Sequence, residues 1–294
     1  MIVVFADEIK QKTSINARET QAIAEAGRLF GCRVFTIPRN FDDCGTAENA
    51  LVYVPSFEQP ILGFWTGFIP SNERYRQIYE AALQKNVHLV NTPEEFLQAM
   101  AFDKFYPLIH DVTPKSVILN DLSQIKDAAN ILDFPIFVKG SVKSNKDLGW
   151  SQVVAHDIQE LSVVAENIYA NTRRSQGKII LRELVTLKTV ATDPNGFPIG
   201  REYRAFVHKG QTIAMGFYWD DYADPYTLSE SDKSAINILL RQVSQKISTP
   251  FISVDMGQLV NGEWIVIEIG DGQFSGLSQI PVLELWSKIK DLTL

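Results

Sequence analysis

Phe251-Ile-Ser-Val-Asp-Met-Gly-Gln-Leu-Val-Asn-Gly-Glu-Trp-Ile-Val-Ile-Glu-Ile-Gly-Asp271 reads as two strands joined by a tight turn. Asn261-Gly262 is the strongest short hairpin signal a sequence can carry, because both residues tolerate the positive φ of a type I′ turn. A two-residue loop there makes Val260 and Glu263 the closing pair and sets Asp255 directly opposite Glu268. Side chains alternate between the faces of a strand. Ile252, Val254, Met256, Ile265, Ile267 and Ile269 then share a core face, while Asp255, Gly257, Leu259, Trp264, Val266, Glu268 and Gly270 share the other. Two carboxylates face each other about 5 Å apart, a repulsion of roughly 3 kcal/mol at an effective dielectric near 20. A divalent cation, a shared proton, or a lysine or arginine must offset it. Mg²⁺ held between the carboxylates and nucleotide phosphates is one reading. Two solvated carboxylates on an open strand face, or an ordinary ion pair, is the blander one.

Working toward the N-terminus, Glu202 and Arg204 in Gly200-Arg-Glu-Tyr-Arg-Ala-Phe-Val207 share one strand face at spacing two. An arginine there can stabilise a transferring phosphoryl group, or serve as a structural ion-pair partner. Glu183 is a lone acid in Ile180-Leu-Arg-Glu-Leu-Val185. Lys139 closes the apolar strand Phe134-Pro-Ile-Phe-Val-Lys139, a place that often opens on a cleft. The loop that follows, Gly140 to Gly149, adds Lys143 and Lys146, whose cations could cover phosphates alongside backbone N–H groups. It matches neither a P-loop nor a dinucleotide fingerprint.

The rest of the chain supplies the frame. Short apolar runs at Ile2–Phe5, Val34–Ile37, Leu51–Val54 and Val87–Val90 alternate with helical spacing at Arg18–Phe30 and Ser71–Lys85, the rhythm of a parallel α/β domain. Thr92-Pro93-Glu94-Glu95 is a capping box opening a helix to about His110, with a domain boundary near it. Helices are expected near Asp121–Leu132, after Asp157 and after Ser229. Strands are expected at Trp150–Ala155 and Lys178–Val185, a hairpin at Lys209-Gly210, and a loop over Thr189–Gly200. The chain has 294 residues, 45% hydrophobic and 21% charged, which fits two or three packed domains. A formal net charge of −7 disfavours a dedicated nucleic-acid binder. No apolar run is long enough to span a bilayer. Met1-Ile-Val-Val-Phe-Ala-Asp7 does not read as a signal peptide, so a cytoplasmic location is expected. Cys32 and Cys44 form no C-x-x-C motif and read as reduced thiols, and His88, His110, His156 and His208 lack zinc spacing.

In order along the chain, Asp103-Lys104, Thr113-Pro114, Lys139 before its loop, Glu183-Leu184-Val185, Glu202-Tyr-Arg-Ala-Phe206, Asp255 and Glu268 together resemble the ATP-grasp superfamily. The ending Glu268-Ile-Gly-Asp-Gly-Gln273 is similar to a poorly characterised branch of it. The resemblance implies an α/β and α+β protein: a Rossmann-like N-terminal domain (residues 1–100), then a central ATP-grasp subdomain (101–185) and a C-terminal one carrying the metal hairpin (186–294). It implies ATP and Mg²⁺ as cofactors. Lys104, Lys139 and Lys143 would contact phosphates, and Glu183 with the backbone of Leu184 and Val185 would bind adenine. Glu202 would position the reacting group or the ribose, Arg204 would face the γ-phosphate, and Asp255 and Glu268 would hold the metal. The family's metal strand reads Glu-x-Asn, but Gly270 stands at that third position here; Asp271 would replace the asparagine if the strand bulges at Gly270-Asp271-Gly272. The implied activity joins a small-molecule or peptide carboxylate to an amine through an acyl phosphate, with a homodimer allowed for. A nucleotide-binding regulatory protein and a phosphotransferase are the rival readings.

Overall fold

The computed structural model describes residues 1–11, 14–142, 149–194 and 196–294; Lys143 and Lys146 lie outside them. β1 (Val3–Asp7), α1 (Ile15–Leu29), β2 (Arg33–Ile37), α2 (Ala47–Ala50), β3 (Ile61–Thr66), α3 (Asn72–Leu83) and β4 (Val87–Leu89) form a parallel sheet in the order β2-β1-β3-β4. β1 and β3 are buried along their whole lengths, as central parallel strands are. Leu51–Val54, expected as a strand, is a turn behind α2, and it delivers Leu51 and Val54 to the core without pairing. The third strand is instead Ile61–Thr66, where Gly63 interrupts the apolar pattern. That glycine is needed because a Cβ would come within 2.7 Å of Val87 on the neighbouring strand.

α4 (Pro93–Met100) begins at the expected capping box, with Thr92 and Glu95 exchanging both bonds. The helix does not continue to His110. Ala101 is extended, and the N–H of Phe102 turns to the Ser141 carbonyl before α5 (Phe102–Ile109) starts. Next come β5 (Ser116–Leu119), α6 (Ile125–Ala129), β6 (Ile136–Gly140), β7 (Val154–Ala155), α7 (Ile158–Ala170), α8 (Thr172–Ser175) and β8 (Ile179–Glu183). They build an antiparallel sheet, β5-β8-β6-β7, backed by α6 and α7. Thr189–Gly200 is not a bare loop but a small hairpin, β9 (Thr189–Thr192) with β10 (Pro198–Gly200).

β11 (Glu202–His208), β12 (Gln211–Phe217), α9 (Glu230–Lys246), β13 (Phe251–Gln258) and β14 (Trp264–Asp271) complete a second antiparallel sheet, β12-β11-β13-β14. α10 (Val282–Ile289) then packs on the first sheet: Leu285, Trp286 and Ile289 share a core with Ile2, Val4 and Phe64. No helix of the described residues is long and apolar enough to cross a membrane.

The β13–β14 hairpin differs from its expected form in two ways that cancel. Among non-glycine residues Lys209 has positive φ, beside Gly210, as a type I′ turn requires, but Asn261 does not. Leu259, not Val260, is bonded to Glu263, and the loop is Val260-Asn261-Gly262 with Gly262 at φ +94°. This three-residue turn shifts the register by one, so Met256 opposes Val266. A bulge then places one extra residue, Ile267, in β14 and shifts the register back. Asp255 therefore still opposes Glu268. The correction is on the faces: Trp264 and Val266 are buried in the core with Val254 and Met256, and Ile267 faces the cleft.

Gly262→Ala tests the turn. No atom lies within 4 Å of the added methyl, so the penalty is purely conformational. It should be about 1 kcal/mol, read as a lower urea midpoint. An unchanged midpoint would contradict the left-handed turn.

Candidate functional site

The two antiparallel sheets face each other across a cavity of about 240 Å³. Lys139 of β6 and Arg182 and Glu183 of β8 line one side; Glu202 of β11 and Ile267 and Glu268 of β14 line the other. Leu184 and Val185 run along the wall just past the end of β8. The β9–β10 hairpin contributes Phe197, whose ring meets Trp150 edge-on at 5.1 Å. A second cavity of about 260 Å³ opens on the other side of Glu268. It is lined by Arg204, Ser253 and Asp255, and by Asn16, Glu19 and Gly67 from the parallel-sheet half. Glu268 belongs to both.

Each carboxylate of the opposed pair has its own cation. Arg204 lies beside Asp255 in register on β11 and donates from Nε and Nη2 to the two oxygens, both at 2.7 Å. Its Nη1 donates to the Gly276 carbonyl at 2.9 Å, and the Tyr218 ring lies 4.8 Å from the guanidinium. Burial would lower the Arg204 pKa, but Asp255 outweighs it and holds the cation above its ordinary value. Lys139, buried on the opposite sheet, donates to Glu268 Oε1 at 2.5 Å. Of the ways to offset the pair's repulsion, the structure shows the basic side chains.

These groups also fit a hard divalent cation. Asp255 and Glu268 present carboxylate oxygens, and each oxygen bonded to a cation keeps a further lone pair. No group of three or more His, Cys, Asp or Glu that could hold a metal occurs among the described residues. The chain would therefore supply two ligands, with phosphate and water completing the shell, as Mg²⁺ prefers.

Two expected residues are not brought to this place. Lys104 lies on α5 with its side chain half exposed, 3.8 Å from Asp103, and lines neither cavity. Its neighbour Asp103 instead accepts bonds from Ser141 and Lys178. Asp271 is fully buried and faces away from Glu268. The strand bulges at Ile267 rather than at Gly270, and Asp271 pairs regularly with Ile252. It accepts from Asn91 Nδ2 and from the Gln273 backbone N–H, both at 2.8 Å. Gln273 in turn bonds Tyr75 and the Trp65 backbone. The Glu268–Gln273 ending thus fastens the hairpin to the parallel sheet. Burial raises the Asp271 carboxyl to about 6 against those hydrogen bonds.

Arg182 is the functional-looking residue the motifs passed over. Burial lowers its guanidinium to about 10, opposed by the charge of Glu268. Its one sequence signal is a cation closing the apolar run Ile179–Leu181, immediately before Glu183.

The arrangement of a nucleotide-sized slot between two antiparallel sheets, with an acid pair at its inner end, is that of an ATP-grasp fold, and solved structures agree. The chain superposes on D-alanine–D-alanine ligase from Bacillus anthracis complexed with ATP (TM-score 0.67, 12% identity, 99% of this chain and 95% of that one). It superposes similarly on VanG D-Ala:D-Ser ligase from Enterococcus faecalis (0.64, 14%, 98% and 94%). A RimK-domain ATP-grasp protein from Sphaerobacter thermophilus also matches (0.63, 11%, 99% and 98%). No curated protein sequence matches the chain. A family model matches residues 126–289, more than half of the sequence: the chain belongs to an ATP-grasp domain family, the third family of its clade.

Two outcomes follow from the charges. Asp255→Asn leaves the buried Arg204 without its counter-ion and should destabilise the protein by about 3–5 kcal/mol. Glu268, whose side chain is 28% exposed, should lose less in Glu268→Gln. Urea melts in the absence of metal read both; a stabilised Asp255→Asn would mean the acids repel more than the arginine attracts.

The second outcome concerns pH. Unfolded, Asp271 loses its proton near 3.8, whereas folded it keeps the proton to about 6. The folded state binds more protons between those values, so this group's stabilisation is full below about 4 and is lost as pH rises through about 6. Asp271→Asn does not titrate. Its stability relative to wild type should therefore improve between about pH 4 and about pH 6.5; a constant difference across that range would contradict the shift.

Proposed function

We propose that this chain is an ATP- and Mg²⁺-dependent ligase that joins a carboxylate to an amine or similar nucleophile through an acyl phosphate. The observation that carries this is Glu268, paired with Asp255 and shared between a nucleotide-sized slot and a second, polar cavity. Family membership and the fold of the ligases above support the same class.

In this reading the adenine lies along Leu184 and Val185, meeting their backbone groups, with Glu183 at the rim and Glu202 near the ribose or the reacting group. Lys139 neutralises phosphate charge at the inner end, and its burial makes that contact stronger than a surface lysine's. Mg²⁺, held by Asp255 and Glu268, would neutralise the β- and γ-phosphates and align the γ-phosphate for in-line transfer. Arg204 presents a planar fork at the boundary of the two cavities, where charge develops on the transferring group. A carboxylate oxygen attacks the γ-phosphorus and ADP leaves. The amine then attacks the acyl carbon, phosphate departs, and the nitrogen gives up its proton. No protein nucleophile is required, and the chain's work is positioning and charge neutralisation.

The test is a panel of carboxylate and amine pairs incubated with ATP and Mg²⁺. Release of ADP and phosphate that requires both partners is expected. Release with a phosphorylated product and no second partner would identify a phosphotransferase, and nucleotide binding without release a regulatory protein. Lys139→Ala should weaken binding of a non-hydrolysable ATP analogue about ten- to a hundredfold, matching roughly 1.5–3 kcal/mol for a charge-assisted contact. Unchanged affinity by calorimetry would remove Lys139 from the phosphate site.

A further inference from the structure

The bulge in β14 resolves a conflict in the sequence. Trp264, Val266 and Ile269 are all buried in the core beneath the hairpin. Strict alternation from Val266 would put Glu268 on the core face as well. Because Ile267 is an extra residue, Ile267 and Glu268 both reach the nucleotide-side cavity. A bulge takes backbone groups out of the ladder, and a buried carbonyl left unpaired is unfavourable.

Those carbonyls are met from the opposite sheet. Arg182 Nη1 donates to the Ile267 carbonyl at 2.7 Å, and Nη2 reaches the Val266 carbonyl at 3.3 Å. Nη2 also donates at 2.6 Å to Thr113 Oγ1, which donates to the same Val266 carbonyl at 2.8 Å. The Val266 N–H goes to the Val112 carbonyl. Arg182 is buried, and both ends of its fork are committed to this bulge and to the threonine that shares it.

We propose that Arg182 is a positioning residue. It holds the bulge that turns Glu268 out of the core and toward Asp255, and so sets the metal–nucleotide geometry from the other side of the cleft. This rests on the ligase reading above for the metal, but not for the bulge. A lysine cannot replace the fork, because a single ammonium does not span two carbonyls and a hydroxyl in one plane.

The experiment uses Arg182→Lys, which keeps the charge, and Thr113→Val, which keeps the shape and removes the bridging hydroxyl. Affinity for adenylyl imidodiphosphate is measured by calorimetry with and without Mg²⁺. For Arg182→Lys the metal-free affinity should stay within about twofold, while the enhancement by Mg²⁺ falls about tenfold or more, as for residues that orient metal ligands. Thr113→Val should move the same way by less. Equal losses with and without Mg²⁺ would make Arg182 a nucleotide contact or a general prop, and a fully retained enhancement would also overturn the proposal. A crystal structure of metal-free Arg182→Lys gives a readout independent of the ligase reading. The proposal expects Glu268 shifted from its place opposite Asp255, and an unchanged bulge and pairing would overturn it. If wild type itself gains nothing from Mg²⁺, the metal assignment fails, and this structure alone still decides the role of Arg182.

Discussion

Two carboxylates on neighbouring strands can share one face of a sheet only if their charge is answered nearby, and Asp255 and Glu268 are answered from opposite directions. Arg204 comes from the adjacent strand of the same sheet, and Lys139 crosses from the other sheet. The result is a row of charges, plus, minus, minus, plus, running across β11, β13 and β14 to β6. One end of the row lies in the slot between the sheets and the other in the cavity beside the parallel sheet. A nucleotide and an acceptor are thereby offered opposite sides of one short line of charge, which is what group transfer between them needs.

Much of this was legible in the sequence because local signals and burial agreed. Thr92, Asp157 and Ser229 each cap the helix that their spacing announces. Glu202 and Arg204 share the cleft face because Tyr203 and Ala205 are core residues. The opposition of Asp255 to Glu268 was also legible, though through two departures that cancel: a turn one residue longer and a bulge one residue wide. Period-two reasoning cannot see a bulge whose support is an arginine about 85 residues upstream. Asp271 misled for a related reason: its carboxylate is engaged by Asn91, a partner 180 positions away. Leu51–Val54 misled because an apolar turn and an apolar strand look alike over four residues.

The placement of Asp271 and Gln273 also explains why the acid pair is well located relative to the parallel sheet. Asn91 bonds both the Asp271 carboxylate and the Phe251 backbone, at the start of β13 and the end of β14 together. Tyr75 and the Trp65 backbone hold Gln273. The open ends of the hairpin strands are thus anchored in the first sheet, while Arg182 and Lys139 meet β14 from the central one. Glu268 is fixed from two sides by elements far apart in sequence.

The packing of α10 bears on the order in which the molecule can be made. Trp286 and Ile289 lie among Ile2, Val4 and Phe64, and a Cβ on Gly27 of α1 would sit 3.3 Å from the Trp286 ring. One face of the parallel sheet is therefore covered by a helix synthesised nearly two hundred residues after β4. During vectorial synthesis that face has no native cover until the ribosome has passed the metal hairpin. The first sheet to emerge is then among the last to be finished, and the sheet of β5 to β8, whose core is drawn from residues 117–181, can close before it.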